Sequence, residues 1–149
     1  MFSTVYLSLG SNSGDRRALI GRAVAALALR LPAVAMRTSG FYCSAPWGFE
    51  SEYDFLNIAV AVTSERDAAW SDAEAEALLD TLQGIERDIS AMPHRNADGS
   101  YRDREIDLDI IAIDHQHIST PRLTVPHPLA QQRPFVTVPL GEITQGIEG

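Results

Sequence analysis

Two kinds of apolar spacing alternate along this 149-residue chain, and their order strongly restricts its fold. The two-residue alternation of Val5-Tyr6-Leu7-Ser8-Leu9 is typical of a strand. Further strands are predicted at 34–42, 55–63 and 106–113. Helical spacing predicts two helices. The first runs from Leu19 to Leu31, and the second begins at a capping-box pair, Ser71 and Glu74, and continues to Ile89. The order β-α-β-β-α-β predicts a ferredoxin-like α+β fold, an antiparallel sheet with helices packed on one face.

The regions between these segments are predicted as turns and loops. Residues 10–14 are predicted to form a turn, and 44–50 and 91–104 loops, because glycine, proline and polar residues dominate them. The C-terminal tail is rich in proline, so we expect short pieces there instead of long elements. Length and a hydrophobic content of 45% suit one domain over 1–149.

Charge and composition limit the partners. The net charge of −8 argues against broad binding to nucleic acid or to a membrane surface. There is no run of ~20 apolar residues and no basic leader before an apolar stretch, and the single cysteine, Cys43, cannot form an internal disulfide. These features suit a reducing cytoplasm, and we expect a monomer.

All twelve basic residues are arginine, and this excludes one large class of nucleotide site. A P-loop requires a lysine that reaches the β and γ phosphates. A phosphate ligand of this chain would have to be held by arginine and metal, and the planar guanidinium suits bidentate bonds to phosphate oxygens. Five of the twelve lie in one segment: Arg95, Arg102, Arg104, Arg122 and Arg133.

The strongest local signal is Asp107-Leu108-Asp109 within a predicted strand. Alternate side chains share a face, so the two carboxylates project together from Cα atoms ~6.6 Å apart. That pair is typical of a magnesium site, because magnesium takes one or two protein carboxylates together with substrate phosphates. An ordinary solvent-facing strand explains the aspartates alone equally well, and the neighbouring Arg104 favours the metal site.

Three other features each have two explanations. The Gly10-Ser11-Asn12 segment can present backbone N–H groups to a ligand, or it can be a structural turn. An aromatic slot with an amide for recognising a ring can form from Trp47, Phe49, Phe55 and Asn57, although the aromatics suit a core as well. His127 has no cysteine or histidine at metal-ligand spacing, so it is not predicted as a metal ligand.

In chain order these motifs resemble the hydroxymethyl-dihydropterin pyrophosphokinases of folate biosynthesis, over about position 4 to Ile143. The matching motifs are Gly10-Ser11-Asn12, Tyr42-x-Ser44-x-Pro46-x-Gly48, Phe55-Leu56-Asn57, Gln83-x-x-Glu86, Arg104-x-x-Asp107-x-Asp109, Leu123-Thr124-Val125-Pro126-His127-Pro128 and Arg133-x-Phe135. The resemblance implies transfer of diphosphate from ATP to 6-hydroxymethyl-7,8-dihydropterin with release of AMP.

The resemblance also implies roles for individual residues. Asp107 and Asp109 match the ligands of two magnesium ions. The nucleotide and phosphate site corresponds to Gln83, Glu86, Arg122, His127 and Arg133. The pterin pocket corresponds to Ser44, Ala45, Trp47, Phe55, Asn57 and Phe135. Such a transfer requires positioning and charge neutralisation more than a covalent catalyst.

The chain departs from the family pattern before the aspartates. The family's Gly-Arg-x-Arg run is replaced by Ser90-Ala91-Met92-Pro93, and the following segment is about three residues longer. Arg104 keeps its place before Asp107. Arg95 or Arg102 can substitute for the missing arginines, and Tyr101 can stack on the pterin. We expect 91–104 to close over ATP as a lid.

Two alternatives to the active pyrophosphokinase remain at this point. A non-catalytic pterin- or nucleotide-binding relative would have lost turnover with its loop arginines. A different metal-dependent phosphotransfer or hydrolysis activity could use the same scaffold.

Overall fold

The structure is a computed structural model that describes residues 1–12, 14–44, 55–90 and 106–144. Seven strands lie within these residues: β1 (Phe2–Ser11), β2 (Ala35–Thr38), β3 (Tyr42–Ser44), β4 (Phe55–Glu65), β5 (Asp107–Ile113), β6 (Ile118–Ser119) and β7 (Thr124–Val125). Its helices are α1 (Arg16–Arg30), α2 (Asp72–Ile89), a short 3-10 helix (Ala130–Gln132) and α3 (Pro134–Thr144). Within these ranges no helix is long and apolar enough to cross a membrane.

The main sheet has the strand order β2-β4-β1-β5, with β3 also paired to β4, and its pairings are antiparallel. This confirms the predicted α+β, ferredoxin-like fold. Two predicted boundaries are wrong. The strand expected over 34–42 is divided into β2 and β3, and β1 continues through Gly10 to Ser11, where a turn was expected. The pairing of β1 with both neighbours extends it past the apolar alternation.

The main core lies between one sheet face and the helices α1 and α2. The sheet contributes Val5, Leu7 and Leu9 from β1 and the even-numbered apolar residues of β4. Each helix has a side-chain N-cap: Asp15 accepts the N–H of Ala18 at 3.2 Å, and Ser71 accepts that of Glu74 at 3.1 Å in a complete capping box. These caps pair the otherwise unsatisfied first-turn N–H groups, so both helices begin at defined residues.

The expectation of only short pieces in the tail is wrong, because α3 is an 11-residue helix. Pro134 occupies its first position, where the missing N–H removes no helical bond. Pro139 lies inside the helix and is fully buried. The apolar side chains of α3 cover the second face of the sheet, packing against Tyr6, Ala59, Ala61 and Ile111. Burial of these groups compensates for a proline that local propensity disfavours.

Helix α3 covers one end of this second face, and the other end carries the candidate site. Moving away from α3, the same face of β1 continues with Ser8 and Gly10, and that of β4 with Asn57. On β5 the register shifts between Tyr6 and Leu7 of β1. This β-bulge interrupts the alternation, so Ile110 and Ile113, three positions apart, both belong to the main core, while Ile111 is buried on the second face.

Candidate active site

Asp107 and Asp109 are the first and third residues of β5, and both are half-buried. Leu108, which lies between the two aspartates, and Ile110, which follows them, belong to the main core. The carboxylates therefore project from the opposite face of the sheet. Their partners on β1 are Gly10 and Ser8. The structure therefore places the two aspartates side by side, as the alternation predicts, at the end of the sheet that α3 leaves uncovered.

Glu86 brings a third carboxyl group to this place from the last turns of α2. Its Oε2 atom accepts the backbone N–H of Leu108 at 2.7 Å, and the residue is 9% exposed. Burial raises the pKa of Glu86 to about 8, assisted by the negative charges of Asp107 and Asp109. A helix and an edge strand thus concentrate acidic groups around the backbone of one residue.

Gln83 lies on α2, one turn before Glu86. The side chain of Arg122, from the segment between β6 and β7, contacts it. The Arg122 guanidinium donates to Asp80 Oδ1 at 2.6 Å and to Gln83 Oε1 at 3.3 Å. Its hydrogen bond and ion pair with Asp80 raise the pKa of Arg122. All three side chains lie at an accessible rim, where Arg122 can exchange a carboxylate for a phosphate at small cost because exposed ion pairs are weak.

Two hydrogen bonds to backbone groups hold His127. Its backbone N–H donates to the Ile111 carbonyl at 2.8 Å, and the Nδ1 atom of its ring accepts the backbone N–H of Leu129 at 3.2 Å. Burial, followed by the charge of Arg133, lowers the pKa of His127, while Asp107 opposes that shift. The imidazole is therefore neutral at pH 7 and carries its proton on Nε2, which is a hydrogen-bond donor near the aspartates.

Arg133 directly precedes α3, and Phe135 is the second residue of that helix. The guanidinium of Arg133 lies over the Phe135 ring, 5.6 Å from its centroid. Phe135 in turn packs against the cluster of Ile111, Ala130 and Val136 on the second face of the sheet. This stacking orients an arginine and an aromatic ring beside His127.

Asn57 and Ser44, two of the residues predicted for the pterin pocket, are joined by a hydrogen bond. Asn57 is 3% exposed, and its Nδ2 atom donates to Ser44 Oγ at 2.9 Å across the β3–β4 pair. Phe55 is the register partner of Ser44. Asn57 is paired with Gly10, and Gly10 with Asp107, so amide, glycine and aspartate form one row across three neighbouring strands.

Seven predicted site residues lie outside the described ranges: Ala45, Trp47, Phe49, Arg95, Tyr101, Arg102 and Arg104. The expected lid at 91–104 also lies outside them. Sequence reasoning did not identify Gly10 as a sheet member beside Asn57. Gly10 directly follows the alternating residues 5–9, which was the available signal. Because glycine has no side chain, it neither continues nor breaks the apolar alternation from which a strand is predicted.

The described residues fit magnesium better than a metal held entirely by protein. They contain no group of three or more histidine, cysteine, aspartate or glutamate side chains arranged as a metal site. Two neighbouring aspartates are what magnesium usually takes when phosphate and water supply its remaining ligands. Burial is the main cause of the raised pKa of Glu86, and the charges of Asp107 and Asp109 add to it; a cation held by the two aspartates would oppose this second cause.

An antiparallel α+β sheet that carries two aspartates side by side on one strand fits the class of metal-dependent phosphotransfer enzymes. Comparison with known proteins is more specific: the model of the 7,8-dihydro-6-hydroxymethylpterin-pyrophosphokinase family matches residues 6–145. The chain belongs to this family.

Curated relatives agree with this assignment. A 2-amino-4-hydroxy-6-hydroxymethyldihydropteridine pyrophosphokinase of Porphyromonas gingivalis is 40% identical over 140 residues, which cover 93% of this chain and 89% of the relative. Proteins of the same name from Bacillus subtilis and Methylorubrum extorquens are 34% and 35% identical. Their matches cover 99% and 93% of this chain and 82% and 80% of the relatives.

The chain is accordingly a diphosphokinase, a transferase of folate biosynthesis that moves diphosphate from ATP to 6-hydroxymethyl-7,8-dihydropterin and releases AMP. Its substrates are small molecules, with ATP as co-substrate. Nothing in the comparisons or the structure favours the alternative of a non-catalytic binding relative.

Proposed function

We propose that this chain carries out the transfer with the triphosphate over Asp107 and Asp109 and the pterin ring against Asn57. One observation carries the proposal: Asn57, Gly10 and Asp107 are successive partners across β4, β1 and β5. Neighbouring strands are ~4.8 Å apart, so the amide and the first aspartate begin roughly 10 Å from each other. This separation suits an acceptor ring on one side and a phosphate group on the other.

Asp107 and Asp109 would hold the magnesium, and we propose two ions, the number that the resemblance of these residues to the family pattern implies. Bound there, magnesium would neutralise phosphate charge and polarise the bonds of the transferred group. The chain's own part is to keep both carboxylates on one rigid strand face. A nucleophilic side chain is not required, because positioning and electrostatic stabilisation supply most of the rate.

The nucleotide is proposed to lie along α2 and the start of α3. Gln83, Glu86 and Arg122 line the α2 side, with Arg122 leaving Asp80 to take a phosphate oxygen. On the α3 side, the neutral His127 donates from Nε2 and Arg133 adds positive charge. From the sequence alone, we assign Arg95, Arg102 and Arg104 to the transferred phosphates.

The pterin is proposed to lie between aromatic rings with one polar edge on Asn57. A carboxamide donates and accepts at once, as the mixed edge of a pterin requires. Phe55 and Phe135 supply apolar surface, and Ser44 orients the amide. The sequence adds Ala45, Trp47 and Tyr101 to this pocket.

Nucleotide products measured with and without pterin test the proposal. We expect AMP to form only with magnesium, ATP and 6-hydroxymethyl-7,8-dihydropterin together. The 6-methyl analogue is a matched control because it keeps the ring but lacks the acceptor oxygen, and AMP should not form with it. Pterin-independent hydrolysis would instead indicate another metal-dependent activity, and pterin binding without AMP would indicate a non-catalytic relative.

Further proposals concern the protein as a whole. We propose that 1–149 is a single domain that works as a cytoplasmic monomer. The family match over 6–145 supports one domain, and a lone cysteine suits a reducing cytoplasm. Sedimentation at assay concentration tests the monomer: a concentration-dependent dimer would contradict it.

A further inference from the structure

Gly10 fills a place in the site where a larger side chain does not fit. A Cβ atom built on Gly10 would lie 2.6 Å from Asn57 Oδ1, 3.5 Å from Phe55 Cδ1 and 3.7 Å from Asn57 Cγ. Separations under 3.0 Å are essentially never found for real Cβ atoms. Among the described residues only Gly14 is a glycine with positive φ, so the requirement at Gly10 is one of space and not of backbone conformation.

Asn57 has little freedom to move away from an added methyl group. The residue is 3% exposed and lies within β4, and its Nδ2 atom is bonded to Ser44 Oγ on β3. Its amide oxygen therefore extends over β1, into the space that Gly10 leaves, while its amide nitrogen is held on the opposite side. Rotating the amide would break the bond to Ser44, and shifting it would require movement of packed strands.

We infer that Gly10 is a positioning residue for acceptor recognition: its missing side chain seats the Asn57 amide in the orientation that meets the polar edge of the heterocycle. This inference rests on the proposed function, in which Asn57 contacts the pterin. Gly10 itself acts through Asn57, because the nearest atoms to its Cβ position belong to Asn57 and Phe55.

The same geometry predicts which substrate is affected. Gly10 is also the register partner of Asp107, yet no atom of Asp107 is among the three nearest to the added Cβ. Gly10→Ala should therefore weaken pterin binding by on the order of tenfold or more, since a buried amide loses its proper partners. Affinity for a non-hydrolysable ATP analogue with magnesium should stay within about twofold, because the lost hydrogen bonds are not those of the phosphate site.

A double-mutant cycle with Gly10→Ala and Asn57→Ala tests this by calorimetry, titrating 6-hydroxymethyl-7,8-dihydropterin into protein saturated with the analogue. We expect each single variant to bind the pterin more weakly and the double variant to bind it no more weakly than Asn57→Ala. Gly21→Ala is the matched control, because an added Cβ there meets no atom within 4 Å, and it should bind like wild type.

One comparison of the cycle remains available if Gly10→Ala alone fails to fold. The double variant has no Asn57 amide to collide with, so it should fold, and its comparison with Asn57→Ala decides the matter. Additive losses, or a folded Gly10→Ala within about twofold of wild-type pterin affinity, would overturn the inference, since the coupling that defines it would be missing. Absence of pterin binding by the wild type would overturn the proposed function and this inference together.

Discussion

Glu86 and Leu108 join helix α2 to the outer strand of the sheet through a buried bond of 2.7 Å between Glu86 Oε2 and the backbone N–H of Leu108. Leu108 separates Asp107 from Asp109, so this contact holds the backbone from which both carboxylates project. The resemblance assigns Glu86 to the nucleotide site, and the structure adds that it anchors β5, the strand that carries Asp107 and Asp109.

Stability of the metal-free protein should fall as pH rises. The pKa of Glu86 is raised from 4.5 to about 8, so between these values the folded state holds a proton that the unfolded state has released. Unfolding then releases a proton, and the free energy of unfolding decreases by at most about 1.4 kcal/mol per pH unit. Urea unfolding in chelator at several pH values from 5 to 8.5 measures this slope.

Glu86→Gln is the control for that experiment, because glutamine keeps an acceptor for Leu108 and does not titrate. Its stability should lose much of the decline between pH 5 and 8. Saturating magnesium should flatten the wild-type curve, since a cation favours the ionised carboxyl group. Parallel curves for wild type and Glu86→Gln in chelator would show that Glu86 is not the titrating group.

Asp109→Ala should lower turnover by on the order of 10²-fold or more, because one charge-stabilising group of the transition state is lost. Folding should persist, since the half-buried side chain lies outside the main core. Asp88→Ala is the control. It removes the same charge from α2, where Asp88 forms an exposed ion pair with Arg30 of α1, and it should leave turnover unchanged. Initial rates at saturating magnesium compare the two, and equal activity would remove Asp109 from the metal site.

Asn57→Ala should weaken pterin binding by on the order of 10- to 100-fold while ATP-analogue affinity stays nearly constant, because a buried donor–acceptor pair is removed. Ser44→Ala should cost less, about fivefold, since it removes only the bond that orients the amide. Calorimetry with each ligand separately measures both. An equal loss for the two ligands would mean that Asn57 maintains the fold and does not read the pterin.

Arg122→Ala should weaken ATP binding, and Asp80→Asn should strengthen it by up to about fivefold, because Asp80 competes with phosphate for the guanidinium. The gain should shrink at high salt, where exposed ion pairs are screened. Asp88→Asn, on the same helix but paired with Arg30, is the matched control and should have no effect. Weaker ATP binding by Asp80→Asn would instead show that the ion pair orients Arg122.

Local sequence determined the approximate positions of α1, α2, β4 and β5 and part of the site. The capping box at Ser71 and Glu74 and the alternation around Asp107 and Asp109 depend on residues within a few positions of one another. Such signals are properties of one turn of helix or one strand, so they can be read without the fold. The absence of lysine similarly excluded a P-loop without any structure.

Tertiary structure alone decided the contacts that make these residues a site. Glu86 meets Leu108 from 22 positions away, and Asn57 reaches into the space at Gly10 from another strand. The proline-rich tail becomes helix α3 because the second sheet face buries its apolar side chains. In each case the deciding energy is burial or a hydrogen bond between distant segments, which exists only after the chain has packed and outweighs the local propensities that the sequence displays.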